Sequence, residues 1–179
     1  MISETHIPAL SSLEYLSYLD ESGKLPEELQ GKIGVYAIFN QEKVLQLIGY
    51  SRDMYLSLKQ HLVRQPQNCY WLKVQTIERP SRSILESIQT AWIEENGVTP
   101  VGNAADADKW NQPIDTRSTM TDEEQTNYIS QDGIGQLKLL KKVARRVEEQ
   151  ILAELKLRGV EMEIRFNPKL KESGLLDLK

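Results

Sequence analysis

Residues 34–61 read GVYAIFNQEKVLQLIGYSRDMYLSLKQH, and the predicted fold depends on this segment more than on any other. Residues 32–39 and 43–50 are two short runs rich in β-branched and aromatic side chains, and polar residues 40–42 separate them. Two such runs joined by a short polar turn are typical of a β-hairpin. We therefore predict a pair of antiparallel strands at this point of the chain.

A helix is predicted to begin at Ser51, directly after the hairpin. The Ser51 hydroxyl can accept a hydrogen bond from the free amides of a first helical turn, and the Asp53 carboxylate favours the positive end of a helix. Apolar residues then recur at the four-residue spacing of a buried helical stripe. These residues are Met54, Leu58 and Leu62.

A third strand and a second helix are predicted further along the chain. Residues 69–77 (CYWLKVQTI) read as a strand whose successive side chains face opposite sides of a sheet. Ser81 is the predicted N-cap of the second helix, and Gly97 is its predicted left-handed C-cap. The buried stripe of this helix comprises Leu85, Ile88 and Trp92.

Two segments flank this predicted domain. Residues 1–30 are predicted to form a helical cap, because their leucines are spaced as on a short amphipathic helix. Residues 106–133 contain few large apolar groups and are predicted to be an acidic linker, with a capping box at Thr121 and Glu124. Trp110, an isolated aromatic residue, is predicted to anchor this linker on the preceding domain, and base stacking is the alternative.

Residues 134–179 are predicted to form a long helix followed by an edge strand. Apolar residues recur at three- and four-residue steps from Leu137 to Leu155, and Gly159 ends the pattern. Residues 160–166 (VEMEIRF) alternate between apolar and polar, which predicts the strand. The first half of the helix carries the strongest basic patch of the chain, which is either a solvated face or a place for phosphate contacts. The patch comprises Lys138, Lys141, Lys142, Arg145 and Arg146.

The chain has 179 residues, a formal net charge of −4 and one cysteine, Cys69. The charge is −5 in residues 1–30, +2 in 31–105, −5 in 106–133 and +4 in 134–179. This weak basic footprint argues against tight binding of duplex nucleic acid. A single cysteine excludes an intrachain disulfide, and no apolar run is long enough for a membrane span. We therefore expect a soluble cytoplasmic protein.

Two triplets on the predicted hairpin, residues 34–36 (GVY) and 47–49 (LIG), are separated by ten residues. A glutamate on the second helix, a proline and an asparagine follow in order, at Glu86, Pro100 and Asn103. In this order and spacing, residues 31–105 resemble the GIY-YIG nuclease superfamily. The resemblance implies an α+β domain with a small, three-stranded mixed or antiparallel sheet flanked by helices.

The resemblance also implies a site that hydrolyses phosphodiester bonds. Tyr36 would help to activate the attacking water, Glu86 would hold Mg²⁺ or Mn²⁺, and His61 would complete the catalytic group. The arginine that the family carries on its first helix is missing, because Ser57 occupies its place, and Leu47 replaces the tyrosine of the second triplet. Loss of one preorganised donor of this kind typically costs about two to three orders of magnitude in rate.

Each of these candidates has a structural alternative. Tyr36 can simply pack against a helix with its hydroxyl at the rim, and His61 can be a cation at a helix C-terminus. Arg82 precedes Glu86 by four residues, so it can replace the missing arginine or merely pair with Glu86, and pairing is the favoured alternative.

Two functions of different class follow. The favoured one is a catalytically impaired or inactive relative of metal-dependent endonucleases that binds nucleic acid or a protein partner. The other is an active endonuclease that depends on Mg²⁺ or Mn²⁺ and uses Tyr36 and Glu86. In either case nucleic acid would contact Arg82 and the basic patch of the long helix, and no membrane contact is expected.

Overall fold

The computed structural model describes residues 6–179, so the first five residues of the predicted N-terminal cap lie outside the described part. The chain divides into two compact units, Met1–Asn111 (unit 1) and Gln112–Lys179 (unit 2). A search of the described residues finds no helix with the length and apolar character that a membrane span requires.

Unit 1 contains a four-stranded antiparallel sheet in the strand order β1-β4-β2-β3. The strands are β1 (Leu16–Ser17), β2 (Ile33–Phe39), β3 (Leu45–Ser51) and β4 (Trp71–Ile77). The helices are α1 (Met54–Arg64), α2 (Arg82–Asn96) and α3 (Ala107–Asn111), and short 3₁₀ turns occupy Leu10–Ser12, Glu27–Leu29 and Val101–Asn103. The predicted α+β class is confirmed, and the sheet has one strand more than predicted.

The hairpin register assigns the central side chains to the two faces of the sheet. Tyr36 of β2 pairs with Gly49 of β3, and the neighbouring Val35 pairs with Tyr50. Since successive side chains of a strand point to opposite faces, the first pair lies on one face and the second pair on the other.

One helix covers each face, so unit 1 has three layers. On the face of Tyr36, α1 buries Met54, Leu58 and Leu62 as its pattern predicts. The opposite face packs against α2 in a core that comprises Leu10, Val35, Ala37, Phe39, Ile48, Leu85, Ile88 and Trp92. Burial of each large apolar side chain contributes roughly 1.5–3 kcal/mol to the stability of the folded protein, so the packing on both faces stabilises unit 1.

The helix caps largely follow the sequence. Ser81 caps α2 by accepting a hydrogen bond from the Ile84 amide, and Gly97 ends it with a φ of +82°. The start of α1 differs from the prediction, because Asp53 is the N-cap and accepts from the Leu56 amide. Ser51 instead braces this turn, since its hydroxyl donates to the Asp53 carbonyl at 2.9 Å.

The predicted N-terminal helical cap is wrong for the described residues of that segment. Leu10–Ser12 form one 3₁₀ turn, and Leu16 and Ser17 form β1, which pairs with Leu72 and Trp71 of β4. A short helix has weak intrinsic stability, whereas an unpaired β4 edge offers backbone hydrogen bonds that outweigh it.

Unit 2 is built around one long helix. Its elements are β5 (Ile114–Asp115), a 3₁₀ turn (Thr116–Thr119), α4 (Asp122–Ser130), α5 (Gly133–Leu157), α6 (Pro168–Lys171) and β6 (Leu175–Leu176). The predicted long helix is confirmed, and Gly159, with a φ of +82°, follows its end. Its buried stripe comprises Leu140, Val143, Ala144, Val147, Ile151 and Leu155.

Residues 112–133 were predicted to be part of an acidic linker, and in the structure they are folded elements of unit 2. The capping box of α4 is present, because Thr121 and Glu124 exchange both of its hydrogen bonds. The Glu124 carboxylate also forms an ion pair with Arg146 of α5. This acidic residue can be buried because a cation from a distant part of the chain pairs with it. Composition alone could not reveal this pairing.

The predicted edge strand at residues 160–166 is wrong. These residues do not form a strand, and among them only Phe166 pairs with another segment, through an isolated bridge to Leu178. Alternation predicts a strand only where another strand is available for pairing. In unit 2 the short β6 pairs with β5 instead.

Candidate functional site

Tyr36 and His61 form a buried pair in the interior of unit 1. The Tyr36 hydroxyl lies 2.7 Å from His61 Nε2, and their side chains are only 3% and 4% exposed. Strand β2 presents Tyr36 toward α1, and His61 lies in the last turn of that helix. Gly49 makes room for the tyrosine ring, because a Cβ at this position would lie 2.7 Å from it.

The carbonyl oxygen of Trp110 fixes the tautomer of His61. It lies 2.9 Å from His61 Nδ1, and since a carbonyl can only accept, Nδ1 carries the proton. The Nε2 atom therefore accepts a hydrogen bond from the Tyr36 hydroxyl. Arg64 donates to the same carbonyl at 3.0 Å, so one backbone group of α3 holds both side chains of α1.

The pKa values of this pair are displaced toward the neutral forms. Burial, together with the nearby charge of Arg64, lowers the pKa of His61 to about 4. Burial raises the pKa of the Tyr36 hydroxyl above its usual value, although a hydrogen bond with Ser57 opposes this effect. At neutral pH both groups are uncharged and closed to solvent, which suits a packing contact better than proton exchange with a substrate.

Glu86 belongs to a second cluster at the start of α2. Its Oε1 atom accepts from Arg82 Nε at 2.7 Å and from the Tyr50 hydroxyl at 3.2 Å. The favoured alternative for Arg82, pairing with Glu86, is thus confirmed. The Arg82 and Glu86 side chains are 83% and 47% exposed. The hydrogen bonds from Arg82 and Tyr50 lower the pKa of Glu86, so its carboxylate is ionised at neutral pH.

The structure does not bring Tyr36 and Glu86 into one cleft. Tyr36 contacts α1 on one face of the sheet, whereas Glu86 contacts Tyr50, which lies on the other face. Ser57, at the position of the missing arginine, donates to the Ser51 hydroxyl at 2.7 Å. A joint role of these residues at a single phosphate would require them to converge, and the sheet separates them.

The groups around Glu86 are not suitable ligands for the expected Mg²⁺ or Mn²⁺. These cations take several oxygen ligands, and no group of three or more candidate ligands (His, Cys, Asp or Glu) occurs in the described part of the chain. Both other groups at the Glu86 carboxylate are hydrogen-bond donors, and one of them is a cation. The Glu86 cluster therefore does not support a metal-dependent reaction.

Cys69 precedes β4 and is fully buried. Its sulfur lies 3.6 Å from the carbonyl oxygen of His61, to which the thiol donates. Reactive thiols in proteins are typically partly exposed and are activated by a helix N-terminus or a neighbouring cation. The position of Cys69 is that of a packed core residue.

The five cations of the predicted basic patch separate into two groups. Lys141 lies 3.3 Å from Glu172, and Arg146 holds Glu124 through two contacts of 2.9 Å. The other three are exposed, and no carboxylate within ion-pair distance is found for them among residues 6–179. We call these three, Lys138, Lys142 and Arg145, the α5 cation stripe.

The stripe has the spacing of a single helical face. Its members follow one another by four and three residues, and Glu149 continues the row after another four. The same five cations and Glu149 line a shallow groove on the surface of unit 2. Five cations against one carboxylate make this groove strongly basic, so it can receive an anion.

The sequence did not predict the contacts of two further features. Asn103 closes the open edge of β3, because its side-chain amide accepts from the Ile48 amide and donates to the Ile48 carbonyl, both at 2.8 Å. Exposed apolar residues also lie next to the α5 cation stripe, at Ile129 and Ile134. Charge patterning could have directed attention to the second feature, whereas the first depends on a contact across 55 residues.

Trp110 was predicted to anchor its segment on the preceding domain, and the structure confirms this. The side chain is 1% exposed, and its ring centroid lies 5.7 Å from that of His61. The alternative of base stacking would require an accessible ring, which Trp110 does not offer.

Comparison of the sequence with known proteins finds similarity over only part of the chain. No family model matches the chain. The chain is similar to the bifunctional monothiol glutaredoxin-S16, chloroplastic, of Arabidopsis thaliana, with 33% identity over 93 residues. The match covers 48% of this chain and 32% of the relative, so the chain spans about a third of the length of that protein.

This finding overturns the resemblance to the GIY-YIG nuclease superfamily. The relative is named as a glutaredoxin, so the nuclease identification and the function derived from it, active or impaired, are corrected. The triplets that suggested the nuclease family have a packing reason here. A Cβ at Gly34 would lie 2.3 Å from the Gln75 carbonyl, and one at Gly49 would meet Tyr36. Close packing of strands therefore requires both glycines, whatever the chemistry of the protein.

Proposed function

We propose that this chain is a partner-binding module that accompanies a thiol-redox activity and does not supply the reactive thiol itself. The relative supports the first part, because its name joins a monothiol glutaredoxin with a second function and the chain spans only about a third of it. Cys69 supports the second part, since it is the one cysteine of the chain and is buried.

The observation that carries the binding proposal is the α5 cation stripe. Three exposed cations on one helical face have no carboxylate within ion-pair distance in the described part of unit 2, and they leave a positive surface that Glu149 compensates only in part. Such a surface attracts an anionic partner and raises its association rate. We propose an acidic protein surface as that partner, because the weak basic footprint of the chain as a whole argues against tight binding of duplex nucleic acid, and the competition below tests the choice.

The test is a binding measurement with charge reversal. Fluorescence anisotropy with labelled polyglutamate, at low and at physiological salt, should show binding to the native protein. The triple substitution K138E/K142E/R145E should weaken that binding at least tenfold, because it reverses three contacts at once. Binding by the native protein should also fall as salt is raised, since exposed charges are screened.

The matched control is K156E/K169E/K179E. These three lysines are also exposed and lie in unit 2, so the control carries the same change in net charge. It should bind as the native protein does, apart from a small uniform electrostatic loss. Equal binding by both triple variants would contradict the proposal. A single-stranded oligonucleotide serves as the competing anion, and a preference for it over polyglutamate would refute an acidic protein partner.

The expected cytoplasmic location stays a prediction. The relative is described as chloroplastic, and both locations are consistent with a reduced cysteine.

A further inference from the structure

The α5 cation stripe begins next to an exposed apolar patch. Ile129, in the last turn of α4, is 81% exposed, and Ile134, in the first turn of α5, is 70% exposed. Leu137 adds a side chain that is 37% exposed. We call Ile129, Ile134 and Leu137 the apolar patch.

The connection between the two helices keeps the apolar patch together. Only Gln131 and Asp132 separate α4 from α5. The Gln136 side chain also donates to the Tyr128 carbonyl at 2.9 Å, which holds the end of α4 beside the first turns of α5. Ile129 and Ile134 are therefore close in space as well as in sequence.

The apolar patch and the cation stripe lie on the same side of α5. Ile134, Lys138 and Arg145 are separated by four and seven residues, which places them on one helical face. At a rise of 1.5 Å per residue, the distance along the helix from Ile134 to Arg145 is about 16 Å, or three turns. A surface of this length is apolar at one end and basic over the rest.

Isolated exposed apolar side chains are common on protein surfaces and need no explanation. Leu157, 91% exposed at the far end of α5, is such a residue. The apolar patch differs because its three members lie within residues 129–137, and Ile134 precedes Lys138 of the cation stripe by one helical turn. Apolar contacts next to charged ones are typical of a docking surface.

We propose that this surface binds an acidic amphipathic helix of a protein partner. The proposal rests on the function proposed above and specifies its partner. Apolar side chains at one end of such a helix would cover Ile129 and Ile134, and carboxylates at three- and four-residue spacing would face Lys138, Lys142 and Arg145. Helical segments that lay one face into a surface use this spacing of contacts.

Two other occupants fit the surface less well. A nucleic acid would satisfy the cations but has no aliphatic side chain to cover the isoleucines. A second copy of this chain, docked through the same face, would oppose one cation stripe with another and so create repulsion between like charges. An acidic amphipathic helix satisfies both halves of the surface together.

The experiment compares three labelled probes on the full chain. They are an 18-residue helical peptide with leucines at one end and glutamates at three- and four-residue spacing, the same peptide with serine for leucine, and polyglutamate. The native protein should bind the leucine peptide at least tenfold more tightly than the serine peptide. The double variant I129S/I134S should lose this preference and still bind polyglutamate.

The matched control is Leu157→Ser, which removes a more exposed apolar side chain from the same helix but lies outside the patch. It should keep the tenfold preference. Circular dichroism of all variants checks that α5 is intact.

The outcomes separate this inference from the proposed function. If the leucine and serine peptides bind equally, or if I129S/I134S keeps the preference, the apolar contact is refuted while the anionic partner stands. If the native protein binds none of the three probes, both are refuted. Sedimentation of the native protein tests whether a second copy of the chain occupies the surface. A dimer that is lost in I129S/I134S would overturn the proposal and show that this surface joins two copies of the chain.

Discussion

At the scale of single residues, His61 shows how burial converts a titratable group into a packing group. Both of its ring nitrogens have partners inside the protein, in Tyr36 and the Trp110 carbonyl. A neutral imidazole in this position satisfies both partners, whereas an imidazolium would lose its acceptor for Tyr36 and would face the charge of Arg64. Folding therefore requires the neutral form.

This requirement predicts that unit 1 begins to lose stability at a higher pH than protonation of its carboxylates alone would cause. The pKa of His61 is about 4 in the folded protein against 6.5 as the reference value, so the unfolded chain binds the proton more readily. The stabilisation is complete above pH 6.5 and is lost as pH falls toward 4. Between pH 8 and pH 5 the free energy of unfolding should fall by about 2 kcal/mol.

Urea unfolding, followed by tryptophan fluorescence at several pH values, measures this dependence. The variant His61→Gln is the control, because glutamine can hydrogen-bond but does not titrate. Its stability should be lower than that of the native protein and nearly constant between pH 8 and pH 5. A native protein with equal stability at both pH values would show that His61 is protonated in the folded state.

At the scale of elements, one ion pair joins α4 to α5 in addition to the hydrogen bond from Gln136. Arg146 and Glu124 meet through two contacts of 2.9 Å, and the Glu124 side chain is only 11% exposed. The hydrogen bonds from Arg146, the largest cause, and from Thr121 lower the pKa of Glu124 to about 2. Arg146 was predicted to contact nucleic acid, but the structure uses it to hold α4 on α5.

The substitution Arg146→Met should therefore destabilise unit 2 by about 1–3 kcal/mol, because it leaves a buried carboxylate with fewer partners. The matched control is Arg145→Met, the neighbouring exposed arginine of the cation stripe, which should change stability by about 0.5 kcal/mol or less. Urea unfolding followed by the helical circular dichroism signal measures both. Equal effects of the two substitutions would mean that the ion pair contributes no more than a solvated side chain.

At the scale of the whole molecule, Cys69 reports on the opening of unit 1. Its thiol is fully buried, so a large reagent can reach it only when the surrounding core opens. We expect the native protein to react slowly with the aromatic disulfide DTNB, and the rate to rise with urea in parallel with the fraction unfolded. A denatured sample, in which one thiol per chain reacts at once, is the control.

The same measurement bears on the proposed function. Fast reaction of the native protein at neutral pH would mean that the thiol is accessible and activated, and the chain itself could then perform thiol chemistry. Slow reaction limited by unfolding would support a module that leaves this chemistry to another part of the protein or to a partner.

Local patterns in the sequence were sufficient for several elements. The hairpin, α2 with its Ser81 and Gly97 caps, the capping box of α4 and the long α5 all depend on side chains within a few residues of one another. Such interactions repeat at the period of the element, so a single sequence displays them. The α+β class followed from these elements.

Tertiary contacts decided the remaining features. Strand β1 exists because β4 offers an edge, whereas residues 160–166 pair with another segment only through the bridge between Phe166 and Leu178. The site was misjudged for the same reason, because Tyr36 and Glu86 face opposite sides of a sheet whose two faces are covered by different helices. Pairing partners, burial and the side of a sheet depend on residues far apart in the chain. The local elements were therefore predictable from neighbouring residues, whereas the contacts between distant side chains depend on the folded chain.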